Sequence, residues 1–370
     1  MTITRRDFLS ASLSVAVASQ RPALGRQQTP ARLRILILGG TGFLGPHVVE
    51  RALERGHTVT LFNRGKTNPG LFAKLEHLRG DRKTDLSALE RRSWDAVVDT
   101  SAYIPADVTR VATLLAPRVT HYQIISSISV YADFSKPGMD ETHPVATLAD
   151  PTVTQVTGET YGGLKALCEQ AAEKAMPGRA LVIRPGLIVG PGDPTDRFTY
   201  WPVRVSRGGD VLAPNAPTEL VQCIDVRDLA HFMVHALEQK TMGIFNADAS
   251  AGSLTMGRLL ETCRAMAKSD ARFVWVPTAF LEAQKVRPWS DMPVWMPATG
   301  ADSAGQGQIS TVRAVAAGLT YRPLSETVAD TLTWCRTWPA ERRNAPLKAG
   351  IASEREAAVL AAWKANKPTG

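Results

Sequence analysis

The sequence predicts an α/β fold in which a doubly wound parallel sheet is followed by a smaller C-terminal lobe. Short, almost wholly apolar runs alternate with helical patterns through the first half of the chain, as expected for strands covered on both faces. The turns between these runs are short, and a glycine-rich turn joins the first run to the first helical pattern. At 370 residues the chain is long enough to bury the cores of two lobes.

Composition narrows the class of protein. Hydrophobic residues make up 44% and charged residues 21% of the chain, which is typical of a folded globular protein. The net charge is +8, but no segment packs about five or six Lys and Arg together, so we expect no nucleic-acid partner. The four cysteines lie far apart and form no C-x-x-C pair, so we expect no metal site.

Residues 1–31 are predicted to be a signal peptide and spacer. Thr4-Arg5-Arg6-Asp7-Phe8-Leu9 resembles the twin-arginine export signature, and residues 16–18 form an A-x-A cleavage pattern. The apolar stretch 8–18 is too short for a stable membrane anchor. We therefore expect a protein exported to the periplasm. A cytoplasmic protein with a basic, frayed terminus is the alternative.

A glycine-rich turn follows the first predicted strand, residues 33–38, and leads into a helical pattern over residues 43–55. Glycines suit this place because the chain must turn sharply and its N–H groups must approach a pyrophosphate. The helix must also pack close to the strand. The pattern predicts a dinucleotide site, and the residues predicted to bind the cofactor there are Gly39, Thr41, Gly42, Phe43, Leu44 and Gly45.

The ends of the next strands predict how the rest of a dinucleotide is held. The second strand, residues 58–62, ends at Asn63-Arg64, where an acidic residue would hydrogen-bond the ribose of NAD. Arg64 can instead face a 2′-phosphate, so NADP is favoured and NAD stays the alternative; a solvated loop arginine is the simpler explanation of Arg64. Asp81 follows a third strand and can bind the adenine amino group. Ser101, at the tip of a fourth strand, can line the cofactor groove.

A serine, a tyrosine and a lysine form the candidate catalytic set. A fifth strand, residues 121–125, leads to Ser127, and a helix opens at Tyr161 with Lys165 on the same face. A phenol with an unperturbed pKa of about 10 is a poor base at neutral pH. A neighbouring ammonium and a positively charged nicotinamide ring lower that pKa. Ser127 can hold the substrate oxygen, so these residues predict hydride transfer.

Together these motifs resemble those of the NAD-dependent epimerase/dehydratase family, the extended branch of the short-chain dehydrogenase/reductases. The resemblance covers residues 33–334 and is carried by the segments 39–45, 126–131, 161–165 and 184–191. It implies a Rossmann-type fold and a cofactor contact at Pro185. It also implies that Ser127 orients the substrate hydroxyl, Tyr161 is the acid/base, and Lys165 binds the ribose and lowers the phenol pKa.

The resemblance also implies a division of the chain and an oligomeric state. After the signal and spacer, residues 32–190 are expected to form the dinucleotide-binding domain. Residues 191–338 are expected to be a mixed region, a substrate lobe with returning Rossmann elements, and residues 339–370 a C-terminal helical tail. Dimerisation through a two-helix face is the family-level expectation for a partner.

The substrate residues are predicted from the start of the second half. Seven of the eight tryptophans lie from Trp201 onward, and aromatic faces bind sugar rings or flat phenolics. We predict Tyr200, Trp201 and Arg204 as substrate-binding residues, with Arg204 able to clamp a pyrophosphate or an acidic group. Packing within the lobe is the better explanation of any single tryptophan, and a surface ion pair is the better explanation of Arg204.

Export and hydride chemistry together predict an enzyme that keeps its cofactor. The resemblance to the twin-arginine signal implies that the protein crosses the membrane folded, and the periplasm has no recycled pool of free NADPH. We expect an NAD(P)-dependent enzyme of the oxidoreductase/epimerase type that acts on a sugar-like or nucleotide-sugar small molecule by transient hydride transfer. One alternative is an NADPH-dependent reductase of a carbonyl or phenolic, isoflavone-type substrate. The other is a non-catalytic dinucleotide- or RNA-binding module.

Overall fold

A computed structural model describes residues 31–298 and 302–366 of the chain. Residues 1–30 of the predicted signal peptide and spacer lie outside the described residues. The strands, in chain order, are β1 Arg34–Leu38, β2 Thr58–Asn63, β3 Glu76–Arg79, β4 Ala96–Asp99, β5 His121–Ile125, β6 Ala180–Pro185, β7 Ile188–Val189, β8 Asp210–Pro214, β9 Ile224–Asp225, β10 Gly243–Ala247 and β11 Arg272–Val276.

Helices separate most of the strands. They are α1 Leu44–Glu54, α2 Pro105–Leu115, α3 Tyr161–Ala175, α4 Tyr200–Ser206, α5 Val226–Glu238, α6 Met256–Ala267, α7 Thr278–Ala283, α8 Val312–Ala316, α9 Leu324–Arg336, α10 Ala340–Asn344 and α11 Ser353–Asn366. Among the described residues, no helix combines the length and the apolarity needed to cross a membrane.

The central sheet has seven strands in the order β10-β6-β5-β4-β1-β2-β3, and every neighbouring pair is parallel. Strands β4, β5 and β6 are buried at every residue, because helices cover both faces of the sheet. The predicted α/β fold, a Rossmann-type doubly wound parallel sheet, is confirmed.

Alternate side chains of β1 show how the two faces are covered. Ile35 and Ile37 point to one face, where α1 and α5 pack against each other. Leu36 and Leu38 point to the opposite face, where α2 and α3 pack together. Successive strand residues face opposite ways, so one apolar run serves two helical layers.

A second core lies in the C-terminal half of the chain. β8 and β11 pair in parallel as a two-stranded sheet, and α4, α6 and α9 pack against one another beside it. The last helix contributes Val359 and Leu360 to the same core. Between these elements β10 returns the chain to the edge of the main sheet.

The order of the strands determines where a ligand can enter. β1 and β4 are neighbours, yet the helix that follows β1 covers one face and the helix that follows β4 covers the other. At such a switch point the two connections diverge and leave a crevice at the carboxyl ends of the strands.

Candidate active site

A cleft of about 1170 Å³ opens at the carboxyl ends of the sheet strands. Its walls include every residue predicted to bind the cofactor or to act in catalysis: Gly39, Thr41, Gly42, Phe43, Leu44, Gly45, Asn63, Arg64, Asp81, Ser101, Ser127, Tyr161, Lys165 and Pro185. Residues far apart in the sequence therefore meet in one place. Their individual roles in binding stay predictions.

The glycine turn forms one end of the cleft. Gly39 and Gly40 have φ values of +104° and +81°, which residues with a side chain rarely adopt. A Cβ on Gly45 would lie 2.6 Å from the Gly40 backbone, so α1 packs directly against the turn. A Cβ on Gly42 would meet nothing within 4 Å and would project into open space. The turn is therefore closely packed against α1 at Gly45 and open to the cleft at Gly42.

The N-terminus of α1 is suited to an anion. The residue before the helix, Phe43, provides no side-chain cap, and the first turn carries no acidic residue. The first N–H groups of a helix have no partner within it, and the helix dipole favours negative charge there. With an open position at Gly42, this end of the described cleft fits the pyrophosphate of a dinucleotide.

Asn63, at the end of β2, holds the turn in place. Its Nδ2 donates to the Gly39 carbonyl oxygen at 3.2 Å, and its Oδ1 accepts from Gly65 N and from Arg79 Nη1, both at 2.9 Å. This side chain therefore serves the loop itself. The adjacent Arg64 is exposed on the cleft wall, together with Lys66 and Lys83, and gives this end of the cleft a positive charge.

A buried ion pair, which the sequence analysis missed, lies below the cleft. Arg82 donates to both carboxylate oxygens of Asp99 at 2.8 Å, and Tyr122 Oη donates to Asp99 Oδ2 at 2.8 Å. Burial alone would raise the pKa of Asp99, but Arg82 holds it below its usual value. Asp99 Oδ1 also accepts from Ser101 N at 2.9 Å, which positions Ser101 at the cleft. The sequence signal that could have predicted this ion pair is Asp99, an acidic residue at the end of a buried strand.

Ser127 and Tyr161 meet where β5 and α3 approach each other. Ser127 follows β5, and its Oγ accepts from Ser129 N at 3.1 Å. Gly162 lets the start of α3 approach this segment, because a Cβ there would lie 2.1 Å from the Ser129 carbonyl oxygen. The Ser127 hydroxyl donates to Ser129 Oγ at 3.1 Å. Burial raises the pKa of the Tyr161 phenol, and the nearby Ser127 hydroxyl opposes that effect.

Lys165 lies one turn further along α3 and is buried. Its Nζ donates to the carbonyl oxygens of Ala102 at 2.6 Å and of Ile125 at 2.5 Å, and it lies 5.1 Å from the Tyr103 ring centroid. Burial lowers the pKa of Lys165 to about 8. Two of its three N–H donors are used by the protein, which leaves one for a ligand.

The pKa of Tyr161 departs from the sequence-based expectation. Burial is the largest influence and raises the pKa of the phenol above 10.0. The groups that lower it are Ser127 and Arg197, and Lys165 is not among them. The physical reason is that the Lys165 ammonium is held by Ala102 and Ile125 instead of by the phenol.

A family model described as the NAD dependent epimerase/dehydratase family matches residues 35–247. The chain belongs to this family. The match spans the main sheet from β1 to β10, and so includes both the glycine turn and the Ser127, Tyr161 and Lys165 set. A nicotinamide dinucleotide is therefore the cofactor class that the cleft is expected to accept.

Among the proteins similar to this chain are two relatives and one solved structure. Chloroplast stem-loop binding protein of 41 kDa b from Arabidopsis thaliana is 27% identical over 291 residues, which are 71% of this chain and 72% of the relative. Epimerase family protein SDR39U1 from Bos taurus is 27% identical over 280 residues, 68% of this chain and 86% of the relative. The crystal structure of human SDR39U1 (isoform2) with NADPH aligns with a TM-score of 0.55 at 22% identity and covers 81% of this chain and 99% of that one. That structural likeness shows the fold alone.

The predicted substrate residues lie outside the cleft. Trp201 is fully buried in the second core, where its Nε1 donates to the Pro293 carbonyl oxygen at 2.7 Å, and Tyr200 packs edge-on against it. Arg204 Nε donates to Glu356 Oε2 at 2.5 Å and so attaches α4 to α11. Predicting a substrate role for Tyr200, Trp201 and Arg204 was wrong, because α4 turns this face into the core.

Arg197, three residues before Tyr200, is the residue that reaches the cleft instead. Its guanidinium lies 5.0 Å from the centroid of the Trp289 ring, and Trp289 also lines the cleft. Arg197 and Tyr161 line the same cleft, and the charge of Arg197 opposes the effect of burial, which raises the pKa of Tyr161. The only sequence signal was its place at the start of the second lobe, which does not distinguish it from the residues that follow.

Proposed function

We propose that this protein is an NAD(P)-dependent enzyme of the oxidoreductase/epimerase type that acts on a sugar-like or nucleotide-sugar substrate by transient hydride transfer. The observation that carries the proposal is that Ser127, Tyr161 and Lys165 share one cleft with the glycine turn. A phosphate-binding end and a proton-transferring end in a single cleft are what such a reaction needs. Membership of the epimerase/dehydratase family supports it.

Three residues of the cleft have separate roles in the proposed reaction. The Ser127 hydroxyl holds the substrate oxygen, and the Tyr161 phenol passes a proton to or from that oxygen through the hydrogen bond between them. Lys165 uses its remaining N–H donor to hold a ribose hydroxyl. A nicotinamide bound in this cleft would supply the hydride acceptor and donor of the reaction, and the positive charge of its oxidised form would favour the Tyr161 phenolate.

For the cofactor we propose NADP, with NAD as the alternative. Arg64, Lys66 and Lys83 are exposed on the cleft wall beyond β2, where a 2′-phosphate would lie. The similar human structure is described as a complex with NADPH. Titration of the protein with NADPH and with NADH, followed by nucleotide fluorescence, compares the two affinities. Arg64→Gln should weaken NADPH binding and leave NADH binding unchanged; equal losses for both would favour NAD.

We also propose that the protein is exported and keeps its cofactor through the reaction. The twin-arginine-like segment at residues 4–9 supports this. The full-length protein and a variant that lacks residues 1–31 should differ in location. We expect only the full-length protein in the periplasm. Native mass spectrometry of the exported form should show one nicotinamide dinucleotide per chain. An exported protein that carries none would overturn the captive-cofactor proposal.

A carbonyl reductase is the second candidate within the same chemistry, because the positive cleft wall beside Asn63 suits a 2′-phosphate and NADPH is the reductant that such an enzyme would consume. An assay of NADPH consumption against a panel of neutral and acidic carbonyl compounds distinguishes the two. Stoichiometric consumption during turnover supports a reductase, whereas turnover of a sugar substrate without net consumption supports the epimerase type. Tyr161→Phe should abolish either activity. A physiological phenotype that survives Tyr161→Phe would instead support a non-catalytic or RNA-binding module.

A further inference from the structure

The end of the cleft beside Tyr161 contains a partly buried arginine that forms no ion pair within the described residues. Arg197 Nε donates to Thr195 Oγ1 at 3.1 Å. The nearest carboxylate in sequence, Asp193, is engaged elsewhere: its Oδ1 accepts from Thr195 N at 2.8 Å and from Thr195 Oγ1 at 2.7 Å. The outer nitrogens of the guanidinium are thus left for the cleft.

Three other largely buried arginines have a carboxylate partner, whereas the partly buried Arg118 and Arg179 donate to backbone carbonyl oxygens instead. The pairs are Arg82 with Asp99, Arg184 with Glu169, and Arg204 with Glu356. A guanidinium withdrawn from water loses hydration, and an anion normally restores that loss. Burial lowers the pKa of Arg197, and the charge of Asp193, which forms no ion pair with it in the described structure, only partly opposes that effect. An unpaired arginine in a ligand cleft therefore points to an anion supplied by the ligand.

A constrained loop fixes the plane of this arginine. Trp289, on which Arg197 lies, has a φ of +62° and is held there by hydrogen bonds from its N to the carbonyl oxygens of Met292 and Trp295, both at 3.1 Å. A tryptophan rarely adopts this backbone conformation, and such strain concentrates at ligand-binding sites. The stack of cation on ring presents the guanidinium edge in a defined direction.

A small, largely apolar cavity of about 60 Å³ adjoins the same end of the cleft, and its lining also includes Gln222, Asp248 and Gln306. Phe134, Leu187, Trp289 and Met296 line both the cleft and this side cavity. A cation and an apolar hollow therefore lie side by side next to the proton-transferring residues. This combination suits a ligand that carries an anionic group and a small apolar group close together.

We propose that Arg197 binds a carboxylate or phosphate group of the substrate close to the carbon that exchanges hydride, while an apolar substituent enters the side cavity. The proposal rests on the proposed function and narrows its substrate class to anionic compounds. Arg197 is then a substrate-binding residue that selects by charge.

The test compares ligands that share a phenyl group and differ in charge. Full-length protein saturated with NADP⁺ is titrated with phenylpyruvate, phenyl phosphate and neutral phenylacetone, and binding is followed by calorimetry. Saturation with NADP⁺ occupies the phosphate-binding end of the cleft. We expect at least one of the two anions to bind about tenfold or more tightly than phenylacetone. Whichever anion binds more tightly distinguishes a carboxylate from a phosphate substrate.

Substitutions assign that preference to Arg197. Arg197→Gln should lose about tenfold in affinity for the anions and keep its affinity for phenylacetone, whereas the exposed Arg258→Gln on α6 should bind like the unaltered protein. Should Arg197→Gln not fold, Arg197→Lys replaces it and should show a smaller loss. No preference for anions, or the same loss in both glutamine variants, would overturn the proposal. NADP⁺ binding is measured separately, so a protein that binds anions through Arg197 but binds no NADP⁺ contradicts the proposed function alone.

Discussion

At the scale of single residues, the chemistry of the cleft depends on how Tyr161 is held. Its phenol is raised in pKa by burial, and the Ser127 hydroxyl and the Arg197 charge oppose that effect. Lys165 is held by backbone carbonyl groups next to it. Proton transfer at neutral pH therefore depends on the balance between burial and these polar neighbours, together with the charge of a bound nicotinamide.

Loss of the Ser127 hydroxyl should move the titration of Tyr161. In Ser127→Ala we expect the pKa of Tyr161 to rise further, because burial still raises it and the hydroxyl that opposes burial is gone. ¹³C NMR of protein labelled at tyrosine Cζ follows the titration, and Tyr161→Phe assigns the resonance. Tyr321→Phe, at a partly exposed tyrosine outside the cleft lining, serves as the control. An unchanged or lower pKa in Ser127→Ala would contradict the role given to Ser127.

Asp248 makes stability depend on pH. It is fully buried, its Oδ1 accepts from Ala249 N at 2.9 Å, and its Oδ2 has no hydrogen-bond partner in the described structure. Burial raises the pKa of Asp248 from 3.8 to about 8. Folding therefore binds a proton at neutral pH. The contribution of this group to stability is complete below about pH 4 and falls until the folded carboxyl ionises near pH 8.

Asp248→Asn removes this titration, so the variant should be more stable than the original chain, and more so at pH 8 than at pH 5. The difference grows by at most about 1.4 kcal/mol for each pH unit between the two pKa values. Urea unfolding at the two pH values measures it. Asp150→Asn, at an exposed aspartate whose pKa is lowered by Thr152, should show no gain at either pH. A gain that is equal at pH 5 and pH 8 would show that Asp248 is not protonated in the folded protein.

At the scale of secondary-structure elements, the junction of β1 with α1 contains one glycine required for packing and another that faces the ligand cleft. Two glycines one turn apart meet different surroundings: a Cβ on Gly45 would collide with the Gly40 backbone, whereas a Cβ on Gly42 would enter open cleft. One position is constrained by helix packing and the other by ligand access. The same junction therefore allows the two requirements to be tested separately.

Gly45→Ala should destabilise the protein by about 1–3 kcal/mol, because α1 must move away from the turn to admit the methyl group. Gly42→Ala should leave the unfolding free energy nearly unchanged but weaken NADP⁺ binding about tenfold or more, since the methyl group projects toward the pyrophosphate. Urea unfolding and NADP⁺ titration are run on both variants. The prediction fails if Gly42→Ala binds NADP⁺ normally or if Gly45→Ala is as stable as the original chain.

In α4 the helical periodicity of the sequence predicts the helix but not which of its faces is buried. Its aromatic and basic residues suggested a substrate surface, but Trp201 bonds to Pro293 and Arg204 to Glu356, which follow it by 92 and 152 residues. The helical spacing of α4 was readable, yet the face that it buries depends on these distant partners. Arg197 reaches the cleft for the same reason, since it precedes the turn of the helix toward the core.

At the scale of the whole molecule, the described residues form a core around the main sheet and a second core in the C-terminal half. One lies on the two faces of the main sheet, and the other joins β8, β11 and the helices of the C-terminal half. All four cysteines are free and buried, three of them within these cores by side-chain packing: Cys168, Cys223 and Cys263. Their thiols are therefore inaccessible unless the cores open.

The cysteines should report global unfolding. Burial raises the pKa of Cys168 and of Cys335 to about 12, and raises those of Cys223 and Cys263 as well, so little thiolate is present at neutral pH. A disulfide reagent such as DTNB should modify none of the four in the native protein within an hour, and all four in urea. Rapid modification of one thiol without urea would show local opening of its core.

By itself, the sequence determined the local features of this protein: buried strands, the glycine turn that begins α1, and the spacing that places Tyr161 and Lys165 on one helical face. These depend on neighbours within about one helical turn or one strand, and the family resemblance rests on the same segments. Only the tertiary structure decided that α4 faces the core and that Lys165 is held by Ala102 and Ile125. It also decided that Arg197 packs on the Trp289 ring and forms no ion pair within the described residues. Those contacts join residues tens of positions apart, because burial and pairing are settled by the packing of whole elements and not by the order of residues within one of them.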